Sequence, residues 1–139
     1  MVNGVIGIVF IRVPLKFLLV HNYRSGNKAF PAGGREEDET VEEALQREIK
    51  EETGLLQHEY KIITTPLVNK FVYNRKKAER FGQETIQEVF LVETERKELD
   101  SKDSNNRVEG WFTKEEMLKH LTFDEHKDIL NKVIEYIYS

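Results

Sequence analysis

Residues 5–11, VIGIVFI, are apolar almost without a break and rich in β-branched side chains, the pattern of a strand covered on both faces. Pro14 interrupts it, and residues 16–20, KFLLV, predict a pairing strand. Residues 21–29 are polar, with Ser25-Gly26-Asn27 as a turn signal. Residues 60–64 and 68–73 read as two strands interrupted by Pro66, and residues 85–92 alternate like one long strand. A polar connection over residues 93–107 leads to a short strand at Trp111-Phe112. Helical signals occur three times. Thr40 with Glu43 forms a capping box and Gly54 is a natural stop, which predicts a helix over residues 41–53. Thr113 with Glu116 predicts a second helix to about Leu121. Thr122 with Glu125 repeats the signal before a stripe of Ile129, Leu130, Val133, Ile134 and Ile137. Strands mixed with a few helices predict an α/β class, one sheet sandwiched by helices. No repeat, low-complexity tract or linker divides the chain, so residues 1–139 are expected to form one domain.

The first helix carries an anomaly. Projected at about 100° per residue, Val41, Ala44, Leu45 and Ile49 gather on one side. Glu42, Glu43, Gln46, Lys50 and Thr53 gather opposite, toward solvent. Glu48 and Glu52 fall on the centre line of the apolar side, with Glu51 beside them. Carboxylates turned toward the body of a protein repel one another, and burying them bare is costly. They need a counter-charge. A hard divalent cation such as Mg²⁺ is the simplest one, since it prefers carboxylate oxygen.

Composition narrows the setting. A charged share of 33% beside a hydrophobic share of 39% is that of a globular chain rather than a disordered one. The absence of cysteine excludes disulfides and thiolate metal sites and suits a reducing compartment, so a cytoplasmic location is the expectation. No apolar run reaches membrane-spanning length, and the VIGIVFI run lacks a basic leader, so no membrane association is expected. The net charge of −4 argues against bulk DNA or RNA binding. Charge is uneven: residues 35–52 carry nine acids and three bases, residues 70–80 five bases and one acid.

Residues 33–55 resemble the Nudix hydrolase signature: a glycine, five residues, a glutamate, seven residues, then Arg-Glu-aliphatic-x-Glu-Glu-x-Gly-aliphatic. Gly33, Glu39, Arg47, Glu48, Ile49, Glu51, Glu52, Gly54 and Leu55 fill every defined place. The strand pair before the box, Phe30-Pro31, and a late strand with Trp111 are similar to the family as well. The resemblance implies a Nudix-type α/β/α sandwich with a central mixed sheet. It also implies hydrolysis of a diphosphate bond in a nucleoside diphosphate linked to another group, with Mg²⁺ or alternatively Mn²⁺. Glu48 and Glu52 would be the principal metal ligands, Glu51 an assisting one, and Arg47 the residue that steers a glutamate. Gly33 and Gly34 would let backbone approach the helix or the substrate closely. Glu39 is either a distant ligand or simply favourable at the helix N-terminus. Asp38 stands where many members have a second glycine, and Asn105 or Asn106 where many have a glutamate. The fourth carboxylate is therefore open among Glu84, Glu88, Asp103 and Glu109.

For the substrate, Tyr73 lies eighteen residues after Leu55, where a tyrosine flags dinucleoside polyphosphate hydrolases in the family. The basic segment with Arg75 and Arg80, followed by a strand, is similar to dATP-type pyrophosphohydrolases. These three residues are the candidate substrate contacts. The expected partner is a small nucleotide, with the 5′ end of RNA, a non-catalytic nucleotide-binding module and a homodimer as open alternatives. His21, His58, His120 and His126 show no ligand spacing and are expected at the surface or at caps, and Trp111 is expected to pack in the core.

Overall fold

The central strand dictates the architecture. A computed structural model describes residues 3–72 and 84–138, with the backbone alone at residues 71 and 72. Strand β1 (Gly4–Ile11) is buried along its whole length. Alternate side chains point to opposite faces, so Val5 and Val9 join one core and Ile6, Ile8 and Phe10 the other. β2 (Lys16–Asn22) pairs antiparallel with β1. Two short strands follow, β3 (Lys28–Ala29) on β2 and β4 (Ala32–Gly34) on the start of β1. After helix α1 (Val41–Thr53) come β5 (Tyr60–Val72) and β6 (Glu84–Thr94). β6 runs parallel to β1 and antiparallel to β5. β7 (Asn106–Phe112) pairs with β2. α2 (Lys114–His120) and α3 (Asp124–Ile137) complete the chain.

This is an α/β/α sandwich with a mixed seven-stranded sheet, as expected. Ala44, Leu45, Ile49 and Leu55, on α1 and just after it, pack against Val5, Val9, Leu18, Phe90 and Val92. Met117, Leu130 and Val133 from α2 and α3 pack on the other face. No helix among the described residues is long and apolar enough to cross a membrane.

Several elements differ from the pattern reading. Residues 60–72 form one strand, and Pro66 falls within the shift of register between Thr64 and Val68. Proline lacks the N–H a ladder needs, and a bulge accommodates it without ending the strand. β7 begins at Asn106, ahead of the expected Trp111, because its early residues pair with the polar end of β2. Thr122 does not cap α3. Phe123 is the N-cap, without a side-chain bond, while Thr122 Oγ1 accepts the Lys28 N–H at 2.7 Å and its own N–H donates to Lys28 O. The capping boxes at Thr40 and Thr113 form as expected.

Thr53 is the clearest correction on α1. The helical projection puts it in solvent, but it is fully buried. The last turn is covered by residues 100–103: Asp100 N–H donates to Thr53 O, Ser101 Oγ to Glu52 O, and the amides of Lys102 and Asp103 to Glu51 O. Gly54, at φ 79°, closes Lys50 O. The carbonyls that a helix end leaves free are thus satisfied from Lys50 to Thr53. The Thr53 hydroxyl donates to Ile49 O at 2.6 Å and accepts the Leu55 N–H at 3.1 Å. Thr53→Val keeps the shape but strands the buried Leu55 amide, a loss of about 1–3 kcal/mol. A urea titration should show a lower midpoint with an unchanged slope. An unchanged midpoint would remove the hydroxyl from the account of this helix end.

Candidate active site

The site is assembled where α1 crosses β4. Ile49 and Leu45 anchor the helix over β1, and this brings the next helical positions, Glu48 and Glu52, down on residues 32–33. Glu52 Oε2 accepts the Ala32 N–H at 3.0 Å, and its residue is only 8% exposed. Glu48 lies against Gly33 so closely that a methyl group there would overlap its carboxylate. Gly33 is therefore needed for close approach. Gly34 is not, since a Cβ would meet nothing nearer than 3.9 Å. Its carbonyl instead accepts a hydrogen bond from Arg47.

Glu48 and Glu52 are hydrogen-bonded to each other, and both titrate above the ordinary glutamate range. Burial is the leading cause for both. At Glu52 the charge and hydrogen bond of Glu48 push further up, and the Ala32 amide pulls down. At Glu48 the bond from Glu52 and the Arg47 guanidinium pull down against burial. Two carboxyls in this position share a proton unless a cation takes its place.

Arg47 braces the arrangement. Its Nε and Nη2 form a fork on Glu39 at 2.7 and 2.9 Å, and Nη1 donates to Glu48 at 2.9 Å. Glu51, the i,i+4 partner expected from the spacing, is 3.7 Å away with its side chain 48% exposed, so it is the lesser contact. Glu39 is occupied by the fork and by the Glu36 N–H, and these bonds, the Arg47 one first, hold its pKa near about 2. It acts as a brace in this structure. Asp38 has φ 67°, the left-handed conformation a glycine adopts freely and aspartate tolerates. The residue type departs from the family pattern, while the backbone takes a conformation open to glycine.

The three box glutamates do not converge as a ready cage. Among the described residues no group of three or more acidic or imidazole side chains is arranged to hold a metal. The convergent donors are Glu48 and Glu52. One buried and one half-buried carboxylate, the buried one without a cationic partner, fit Mg²⁺, which binds through one or two carboxylates plus water and phosphate.

The remaining candidates separate. Asp103 raises Glu52 electrostatically and is tied to the α1 end by its amide, while its carboxylate accepts from Asn105 N and Asn106 Nδ2. Glu88 is half-buried in β6 opposite Val5 and Val68, on the face whose neighbouring residues Phe90 and Val92 meet α1. Glu84 is exposed. Glu109 is engaged by His21 at 3.0 Å and by Arg107 at 3.2 Å. Tyr73, Arg75 and Arg80 lie outside the described residues. Trp111 borders the α1-side core, as expected, and its Nε1–H donates to Lys97 O.

The sequence reading missed the cavity next to Glu52. It holds about 440 Å³ and is lined by Asn22, Phe30, Asn69, Gln87, Phe123 and His126 among others. His126 was expected at a surface or cap, yet it is 6% exposed. Its place on the Ile129–Leu130–Val133 side of α3 was the available signal.

The NUDIX domain family model matches residues 2–133. The chain belongs to the NUDIX family. A curated relative, the RNA pyrophosphohydrolase of Marinomonas sp. (strain MWYL1), is 41% identical over 58 residues, covering 42% of this chain and 36% of its own. The match therefore spans about a third of that relative. Among solved structures, a Listeria monocytogenes protein assigned to the NUDIX hydrolases is similar over 99% of this chain and 95% of its own, with TM-score 0.83 and 22% identity. The Ap4A hydrolase of C. elegans is similar over 99% of both chains, with TM-score 0.75 and 19% identity. At these identities the solved neighbours establish the fold of this Nudix chain.

The buried pair has a pH signature. Glu52 binds its proton more tightly folded than unfolded, so its contribution to stability is complete below the unfolded pKa and is lost as pH rises through the folded one. In the presence of a chelator, Glu52→Gln should lose less thermal stability than wild type over the range of rising pH above the ordinary glutamate pKa. Superimposable melting curves across that range would show that the pair is not strained.

Proposed function

We propose that this Nudix hydrolase domain cleaves a diphosphate bond in a nucleoside diphosphate linked to another group, a nucleoside triphosphate or a dinucleoside polyphosphate. The observation that carries the reading is the pairing of half-buried Glu48 with buried Glu52, which lines an open cavity. Mg²⁺, or Mn²⁺ in its place, when bound would neutralise the diphosphate and make water a competent nucleophile. In this reading Glu48 and Glu52 are its principal ligands and Glu51 an assisting one. Arg47 keeps Glu48 ionised and aimed, with Glu39 fixing the guanidinium. Gly33 gives Glu48 the room to approach the backbone, and the Ala32 amide orients Glu52. Asp103, beside Glu52, is the fourth carboxylate that the reading favours, and its hydrogen bonds to Asn105 and Asn106 orient it for moving a proton. The absence of cysteine supports a cytoplasmic setting.

Glu48→Gln and Glu52→Gln should each lower kcat with Mg²⁺ by about 100-fold or more, because each removes charge from the reacting centre. Circular dichroism should show the fold intact. Near-normal turnover of either variant would sink the assignment. If wild type turned over nothing in a panel of nucleoside triphosphates, dinucleoside polyphosphates and triphosphorylated RNA, the chain would instead be a nucleotide-binding module.

A second reading takes the substrate as the 5′ end of RNA, favoured by the 58-residue match to an RNA pyrophosphohydrolase. The bases in residues 70–80 supply cations for the RNA chain. Triphosphorylated RNA should then bind tightly and weaken steeply with salt, by about 0.7 log units per log unit of salt for each phosphate contacted. Weak binding indifferent to salt would leave the small nucleotide as the substrate.

A further inference from the structure

A second cavity, of about 510 Å³, opens on the polar side of α1, away from the side that carries Glu48 and Glu52. Glu43, Gln46 and Lys50 contribute from successive turns of the helix, and Leu56, Gln57 and Tyr60 from the chain that follows it. The cavity also reaches Arg47 and Glu39, the fork that braces the carboxyl pair.

The polar groups of this lining divide into two sets. Arg47, Glu39 and Glu43 are engaged. The first two hold each other, Arg47 donates further to Glu48 and the Gly34 carbonyl, and Glu43 closes the capping box on Thr40. Gln46, Lys50, Gln57 and Tyr60 are not. Among the described residues none of these four side chains has a hydrogen-bond or ion-pair partner. The Tyr60 phenol is half-buried, and burial, with the charge of Glu42 after it, raises its pKa, so it keeps its proton and stands as a donor. Leu56, 43% exposed, and the Tyr60 ring add apolar surface beside these groups.

The lining selects a charge. Lys50 is the one lining cation without an anion, and a single negative charge matches it. A second negative charge finds no counter-ion and meets the carboxylates of Glu43 and Glu42. Two carboxamides and a phenol then supply donors to an oxyanion without adding charge of their own.

We propose that this groove is a second ligand site, for a small organic monocarboxylate. Its carboxylate rests on Lys50 with the Gln46 and Gln57 amides and the Tyr60 hydroxyl, and its apolar body lies against Leu56 and the Tyr60 ring. The volume is within the usual range of about 300–1,000 Å³ for small-molecule sites. Phosphate esters and nucleotides are disfavoured by the same charge argument. The site is independent of the hydrolase reading, since none of its four donors belongs to the carboxylate centre.

Phenylacetate, one negative charge on an aromatic body, is the probe, titrated into the full chain without metal or nucleotide and followed by NMR. The Gln46 and Gln57 side-chain amides should shift and saturate. Phenylacetamide has the shape without the charge, and phenyl phosphate carries a second charge at mildly alkaline pH. Each should bind about tenfold more weakly than phenylacetate. Lys50 is exposed and unbonded, so Lys50→Gln should melt as wild type does, and it should weaken phenylacetate about tenfold. Tyr60→Phe keeps the ring and removes the hydroxyl, and should weaken the probe about threefold or more. Shifts that fail to saturate, shifts centred on the cavity beside Glu52, equal affinity for the amide or the phosphate, or indifference to both substitutions would overturn the site.

Discussion

The constraint on which the rest depends is that two carboxyls, half-buried Glu48 and buried Glu52, are held against each other where α1 crosses β4. Neither is buried bare. Glu48 has the Arg47 guanidinium and Glu52 has the Ala32 amide, and they bond to each other. Yet burial still raises both, so these contacts do not offset the desolvation of a second negative charge. The arrangement is incomplete as an electrostatic structure, and added positive charge would offset what the fold leaves uncompensated. The surrounding sequence then has reasons of its own. Gly33 must lack a side chain because Glu48 occupies that space. Arg47 must be arginine because one planar fork serves Glu39, Glu48 and the Gly34 carbonyl at once, which a lysine cannot do.

The same constraint explains the attention given to the end of α1. A frayed last turn would let Glu52 swing away from Ala32. Residues 100–103 close the carbonyls of Glu51, Glu52 and Thr53, and the Thr53 hydroxyl ties the turn to Leu55 from inside. The loop that stabilises the helix also delivers Asp103 beside Glu52. Structure and chemistry share one segment here, which is why the polar connection after β6 is more than a linker.

Much of this was legible because it is periodic or short-range. The buried strand at residues 5–11, the capping boxes at Thr40 and Thr113 and the Gly54 stop are local patterns with one physical outcome each. The inward tilt of Glu48 and Glu52 followed from helical geometry alone. What escaped depends on partners far along the chain. Thr53 is polar by type and lies on the polar side of the helix, but a loop almost fifty residues later covers it. Thr122 had a good capping signal and was claimed instead by Lys28, from a strand too short to show any alternation. Arg47 reached back eight residues to Glu39 rather than forward four to Glu51, because the Glu39 side chain is only 16% exposed while that of Glu51 is 48% exposed. His126 shows no ligand spacing, and only its place on the apolar stripe of α3 betrayed its burial.

Two costly features among the described residues, the Glu52 carboxyl and the unpartnered His126 ring, belong to residues that line one cavity. Elsewhere among the described residues the buried polar side-chain atoms find partners. A chain selected only for stability would place a hydrophobic ring at residue 126 and a neutral group at residue 52, since both changes relieve a desolvation cost without disturbing the shape. Their coincidence around one space is the pattern expected when a ligand supplies what the fold withholds.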